Sequence, residues 1–329
     1  MTEYRVTGPR NVQTTASMRL LTSILGLVAA LIGSVAHDAV GAETPPLPGS
    51  VHFTGLISAP MPLHITLEDG SPFTLDGMVV RPDRPGRFPL VLLTHGEPYD
   101  FSETSAWMPT ILLRPAVAFA QRGYAAVMFL RRGFGGSQGP YAEGHGPCGA
   151  RDYLRATRAS AEDVLGVLSV LRNEEWVDPQ RVLLVGQSSG GVAVTAAAGQ
   201  HPSGIIGILN FAGGRGSMTT TALCQPELVF DMWRTLGRSV RVPSLWIFAE
   251  NDQYFAPTIA RAMFDAYRSG GAPAEFIVAP PFGADGHLLL YLAAPPVWWP
   301  LVSPFLDAMH LPTRIVVDLP PTREQPQRE

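Results

Sequence analysis

The stretch Arg181-Val182-Leu183-Leu184-Val185-Gly186-Gln187-Ser188-Ser189-Gly190-Gly191 passes from an apolar run into a glycine-framed turn, and an Ala-rich segment follows to Gly199. The apolar run reads as a buried strand, and residues 190–199 read as a helix. Between them lies Gly-x-Ser-x-Gly. A side chain held out on a sharp strand-to-helix turn needs small neighbours at −2 and +2, here Gly186 and Gly190, because the next helix packs close behind it. Ser188 then sits where the unpaired N–H groups of a helix N-terminus favour negative charge. The five-residue pattern is common by chance; the strand before it and the helix after it make it specific to a nucleophile. The competing reading is an ordinary Gly-rich turn with an incidental Ser. Ser189 is out of register for the nucleophile.

Working outward, strands and helices alternate. Residues 89–94 (PLVLLT), 124–130 (YAAVMFL), 205–211 (IIGILNF), 244–249 (SLWIFA) and 275–279 (EFIVA) are short apolar runs. Residues 110–122, 150–173, 258–269 and 297–309 carry helical spacing, the last with Pro300 and Pro304 bending or splitting it. Residues 63–67 and 77–81 alternate in the manner of an antiparallel pair at a sheet edge. Apolar strands alternating with helices imply an α/β fold with a mostly parallel sheet covered on both faces.

A Ser hydroxyl is inert without a base, and the base needs an orienting carboxylate. On such a sheet the chain order is Ser, acid, His. After Ser188, the strand SLWIFA runs into Glu250-Asn251-Asp252, and Asp252 is preferred to Glu250 because it lies further into the loop. The strand EFIVA leads through 280–286 to His287, the position expected of the base. The other seven His residues fall in the leader, before the sheet, before Asp252 or beyond the last helix. An oxyanion needs two backbone N–H groups. Ser189 supplies one, and the loop after His95-Gly96 the other, with Glu97 the candidate because Pro98 has no N–H.

Composition removes several alternatives. The chain has 329 residues, 46% hydrophobic and 16% charged, with net charge −4 and no basic stripe, so a nucleic-acid partner is not expected. All 24 cationic side chains are Arg, which excludes Schiff-base chemistry, a Ser-Lys dyad and a P-loop lysine. Arg131-Arg132-Gly133-Phe134-Gly135-Gly136-Ser137 follows a strand but lacks GxGxxG spacing, and reads as a structural loop near the site. His145 and Cys148 lack a second matching pair, so neither a metal nor another cofactor is expected.

Residues 1–42 read as a signal peptide, with Met18 as a possible start, an apolar run over 20–36 and small residues Val40-Gly41-Ala42 before the cut. The alternative is an uncleaved membrane anchor. The run is about 17 residues and broken by Gly26 and Gly33, short for a span. The expectation is therefore an exported protein, periplasmic or secreted, with no stable membrane insertion after cleavage. Residues 43–62 form a Pro-rich linker and extension, 63–310 the catalytic domain, and 311–329 a loosely ordered Pro-rich tail. The two cysteines, Cys148 and Cys224, suit one disulfide in an oxidising compartment. Such a bridge would tie down residues 213–242, a lid candidate with Phe230, Met232 and Trp233 as lining or as ordinary core.

LLTHG, GYAAVMFLRRGFGGSQG, RVLLVGQSSGG, FAENDQYFAP and FGADGHLLLY together resemble bacterial α/β-hydrolases of the dienelactone-hydrolase-like group, and the catalytic domain of prolyl-oligopeptidase-type peptidases. The likeness spans roughly 63–309. It implies the α/β-hydrolase fold with an eight-stranded sheet, and supports Ser188, Asp252 and His287 as a triad. Dienelactone hydrolases proper use Cys where this chain has Ser188, so lactone chemistry is not carried over. The expected activity is a carboxylesterase acting on a small-molecule ester through an acyl-serine. The alternatives are a serine aminopeptidase and a non-catalytic binding protein of the same fold.

Overall fold

The computed structural model describes residues 53–98 and 101–319, so the segment read as a signal peptide, the expected linker up to 52 and the tail from 320 lie outside the described residues. The strands are β1 (Leu56–Pro60), β2 (Leu63–Thr66), β3 (Pro72–Leu75), β4 (Gly77–Pro82), β5 (Phe88–Thr94), β6 (Ala125–Phe129), β7 (Val177–Gln187), β8 (Ile205–Phe211), β9 (Ser217–Thr219), β10 (Ala222–Leu223), β11 (Ser244–Ala249) and β12 (Ala274–Ala279). The α-helices are α1 (Leu113–Ala120), α2 (Tyr153–Leu171), α3 (Ser189–Ala198), α4 (Pro226–Ser239), α5 (Pro257–Ser269), α6 (Leu289–Leu292) and α7 (Pro295–Ala308).

Eight strands form one sheet in the order β1-β4-β6-β5-β7-β8-β11-β12. From β6 to β12 every neighbouring pair is parallel; β4 is antiparallel to both β6 and β1. The central strands β5 and β6 are buried along their whole length, as near-continuous apolar runs require. Two cores follow from the two faces. One gathers α2, α3, α4 and α5 around Trp233, Trp246 and Tyr267; the other gathers α1, α6 and α7 around Phe119, Trp298 and Trp299. Helices on both faces make a three-layer α/β domain.

The edge differs from the sequence expectation. Residues 63–67 and 77–81 do not pair with each other: β2 pairs with β3 in a separate hairpin, and β4 pairs with β1. The sheet therefore starts inside the stretch read as an extension, because Leu56–Pro60 supplies the ladder partner that β4 needs. At the other end, residues 311–319 are docked rather than loose. Tyr124 donates to the Pro312 carbonyl at 2.7 Å, and the Val316 and Val317 N–H groups donate to the Gln121 carbonyl. Pro300 and Pro304 both lie inside the single helix α7. Among the described residues, no single helix is long and apolar enough to cross a membrane.

Candidate active site

β7 ends in Gly186 and Gln187, both buried, and the chain folds sharply at Ser188 before α3 begins at Ser189. Ser188 has φ 54° and ψ −124°, a conformation that costs a residue bearing a β-carbon on the order of 1–3 kcal/mol. Its surroundings enforce it. The Ser188 N–H donates to the Phe211 carbonyl at 2.9 Å, and its carbonyl accepts from Gly191 at 2.9 Å. A β-carbon at Gly186 would overlap the Gly190 carbonyl, and one at Gly190 would overlap the carbonyls of Thr94 and His95. These contacts are why both framing positions are glycine.

Two further loops reach the same end of the sheet. Asp252 follows β11 and is buried; its Oδ1 accepts the N–H groups of Tyr254 and Phe255, each at 2.8 Å. His287 lies in the 3-10 turn Gly286–Leu288, which Asp285 caps by accepting the His287 N–H at 2.9 Å. The His287 Nδ1 lies 3.1 Å and 3.0 Å from the two carboxylate oxygens of Asp252. An ionised carboxylate only accepts, so the proton of a neutral ring sits on Nδ1 and the Nε2 lone pair is left for proton abstraction. Tyr254 stacks on the imidazole at 4.3 Å, fixing its plane. Glu250, the competing acid, is exposed.

The loop after β5 closes the other side. An added β-carbon at Gly96 would lie 2.7 Å from the Ser188 β-carbon, so this loop passes directly over the turn. The Gly96 N–H is occupied, donating to the Tyr291 hydroxyl at 2.8 Å, which leaves Glu97 as the next N–H along. His95 is wholly buried. Its Nε2 accepts the Arg131 N–H at 3.0 Å and its Nδ1 donates to the Gly96 carbonyl at 2.6 Å. Burial and then the Arg131 charge hold its pKa well below the usual value, so the ring is a neutral strut.

Beneath these loops runs a buried charge chain that sequence reasoning missed. The Glu97 carboxylate pairs with Arg215, Arg215 also pairs with Glu143, and Glu143 pairs with Arg131. Arg131 continues to the Ser189 Oγ at 3.0 Å and to the His95 carbonyl at 2.6 Å. Burial alone would raise the Glu143 carboxyl, but Arg131 and Arg215 outweigh it and hold the pKa at about 2. Burial raises the Glu97 carboxyl against the pull of Arg215. Arg131 was legible only as part of a loop near the site. Arg215, inside Gly-Gly-Arg-Gly straight after β8, was the one further signal available. Glu143 had none.

Cys148 and Cys224 form a disulfide that joins the loop before α2 to the start of α4. Trp233 and Met232 do not line a cleft: both are fully buried, with Trp233 packed 4.4 Å from Trp246. An amphipathic helix wedged between α2 and α5 has to bury its large side chains there. Residues 213–242 thus form the β9–β10 hairpin and a core helix. A cleft of about 490 Å³ opens instead between Thr104, Gly133, Tyr141, Gly144, His145 and Gly146, where the Tyr141 hydroxyl donates to Glu97 at 3.0 Å. Another, of about 510 Å³, is lined by Arg81, Arg84, Arg87 and Trp176 at the opposite ends of β5 and β7. Ligands of open α/β sheets bind beyond the carboxyl ends of the strands, which favours the first. Among the described residues, no cluster of three or more His, Cys, Asp or Glu could hold a metal ion.

Residues 69–221, a little under half of the chain, match the X-Pro dipeptidyl-peptidase (S15) family. That segment holds Ser188 but neither Asp252 nor His287. No curated protein sequence matches the chain. Among solved structures, an esterase from Pyrococcus furiosus is 16% identical with TM-score 0.54, covering 80% of this chain and 96% of that one. An acetyl xylan esterase from Paenibacillus sp. R4 is 18% identical with TM-score 0.53, covering 77% and 84%. An acylaminoacyl peptidase is 16% identical with TM-score 0.52, covering 79% of this chain but 43% of that longer one. At these identities the likeness speaks for the fold. Taken with the eight-stranded sheet and the strand-turn-helix at Ser188, it gives the chain the α/β-hydrolase fold.

Proposed function

We propose that this chain is a serine hydrolase that cleaves carboxylic esters through an acyl-serine at Ser188. The observation that carries the reading is the buried Asp252–His287 pair standing at the same sheet end as the strained Ser188 turn. In this mechanism His287 Nε2 takes the Ser188 hydroxyl proton as Oγ attacks the ester carbonyl. Asp252 holds the imidazolium that forms. The N–H groups of Ser189 and Glu97 receive the oxyanion. His287 then returns the proton to the departing alcohol, and a water repeats the sequence to release the acid. The cleft beside Tyr141 is the space for a small or medium substituent of the substrate. Export, periplasmic or secreted, belongs to the same reading: a disulfide persists in oxidising compartments.

The S15 match favours a second reading, a peptidase that removes short N-terminal units. Esters are cleaved more readily than amides because alcohols leave more readily than amines, so ester turnover alone does not separate the two. The decisive assay sets short p-nitrophenyl esters beside Xaa-Pro and single-aminoacyl anilides, with Ser188→Ala as control. Esters cleaved and anilides refused support the esterase. Anilide turnover with kcat/KM equal to or above that for esters supports the peptidase. Turnover that persists in Ser188→Ala refutes both.

A further inference from the structure

The two ends of the buried charge chain are the side chains of Glu97 and Ser189, the residues whose backbone N–H groups the proposed mechanism uses. We propose that the sequence of contacts Glu97–Arg215–Glu143–Arg131–Ser189 is a positioning frame that sets the spacing of the two oxyanion donors. The inference rests on the serine-hydrolase reading.

The contacts suit the task. Arg215 is buried and its two terminal nitrogens hold different carboxylates, Glu97 on the loop after β5 and Glu143 on the loop before α2. Arg131 is wholly buried and grips Glu143, the Thr94 hydroxyl at 2.8 Å, the His95 carbonyl and the Ser189 hydroxyl. It therefore clamps the end of β5 directly to the first residue of α3. The Tyr141 hydroxyl adds a second tie to Glu97. Two carboxylates alternate with two guanidiniums, so the frame is neutral overall and each buried charge has an opposite partner. A planar guanidinium bonding two acceptors fixes angles as well as distance, which a Lys in its place would not do. Sub-ångström control of donor placement is what oxyanion stabilisation demands, because the donors must match the transition state rather than the ground-state carbonyl. None of these side chains is required to touch the substrate, so they are positioning residues.

The test uses Glu97→Gln and Ser189→Ala, both of which keep the backbone N–H, with Arg215→Lys and Ser188→Ala alongside. Each folded variant is assayed for kcat and KM on an aryl ester and for affinity toward a trifluoromethyl ketone, whose hydrate-like adduct needs the oxyanion pocket. The expected result for Glu97→Gln and Ser189→Ala is a fall in kcat of about 10-fold or more with KM within about twofold, and a matching loss of ketone affinity. The double variant should lose less than the product of the singles, since both cut one frame. A merely structural role would move the melting temperature without the ketone. If Ser188→Ala is inactive while Glu97→Gln and Ser189→Ala retain wild-type kcat and ketone affinity, the frame is overturned and the hydrolase reading stands. If Ser188→Ala retains turnover, the hydrolase reading fails and the frame with it. Should Arg215→Lys prove unfolded, the two end variants decide alone.

Discussion

The side-chain amide of Gln187 donates to the backbone carbonyl of His287 at 3.0 Å, a buried bond between residues 100 apart in sequence. Gln187 is the variable position before Ser188, so this bond joins the proposed nucleophile turn to the loop of the proposed base. Replacing Gln187 by Leu would leave a buried carbonyl unpaired, a loss of about 1–3 kcal/mol. Urea denaturation should register that loss, and kcat should fall while KM holds. An unchanged urea midpoint would show that another donor takes over.

Ser188 carries a conformation that suits glycine better than any residue with a β-carbon. Ser188→Gly should therefore be inactive yet more stable than Ser188→Ala by about 1 kcal/mol, through relief of strain. Ser188→Ala should lose up to about 10⁶-fold in kcat. Chemical denaturation of the two variants side by side checks the order, and the reverse order would mean that the turn is not strained in solution.

Asp252→Asn keeps the shape of the side chain but places a donor where His287 Nδ1 needs an acceptor. The imidazole then settles in the wrong tautomer, and kcat should fall by about 10⁴-fold with little change in KM. Glu250→Gln, at an exposed position outside the His287 contact, should stay within about twofold of wild type. Equal losses in the two variants would contradict the assignment of Asp252.

The Cys148–Cys224 bridge spans 76 residues of sequence. In the chain-entropy account, closing a loop of that length stabilises by about 4 kcal/mol. Reduction, or Cys148→Ser with Cys224→Ser, should lower the urea midpoint accordingly. Because the bridge joins the segments that contribute Glu143 and Arg215, kcat should fall before global unfolding. A midpoint unmoved by reductant would sink the structural role.

Acid should weaken the fold through two groups near the cleft. Burial, followed by the Arg215 charge, lowers the His145 pKa from 6.5 to about 4. The neutral ring is the form the fold accepts, so its contribution is complete above pH 6.5 and lost as pH falls through about 4. Glu143 has the same sign, with its contribution complete above 4.5 and lost as pH falls through about 2. Glu97, raised by burial, works in the opposite sense. His145→Gln should remove only the upper part, so the stability gap between wild type and variant should shift toward the variant between pH 7 and 4. Parallel melting curves across that range would rule the effect out.

The bounds of β8 and β11 were legible because Gly204 before one and Pro243 before the other punctuate short apolar runs. The Ser188 turn was legible for the same kind of reason: its chemistry is local, and the backbone demands Gly at fixed offsets. The edge strand β1 was not. Ser58 and Pro60 break its alternation, and only its pairing with β4 defines it. Trp233 stayed open between lining and core because a helical apolar stripe does not say which neighbour it faces; the structure places it in the core. The charge chain was invisible because its links join residues between 12 and 118 apart, and no local pattern marks a buried Glu143. Local demands can be read from a sequence; pairing across the fold is settled only when the sheet is assembled.

That division has a consequence for how the protein matures. Ser188, Asp252, His287, Glu97 and Arg215 come from five stretches that meet only at the carboxyl edge of the finished sheet, and the last of them arrives after β12. Contacts of such long sequence separation form late and slowly. A complete chain held unfolded would carry every proposed catalytic residue and no assembled centre. Under the proposed activity, turnover would be a timer for completion: the first product molecule would report that the final strand has docked.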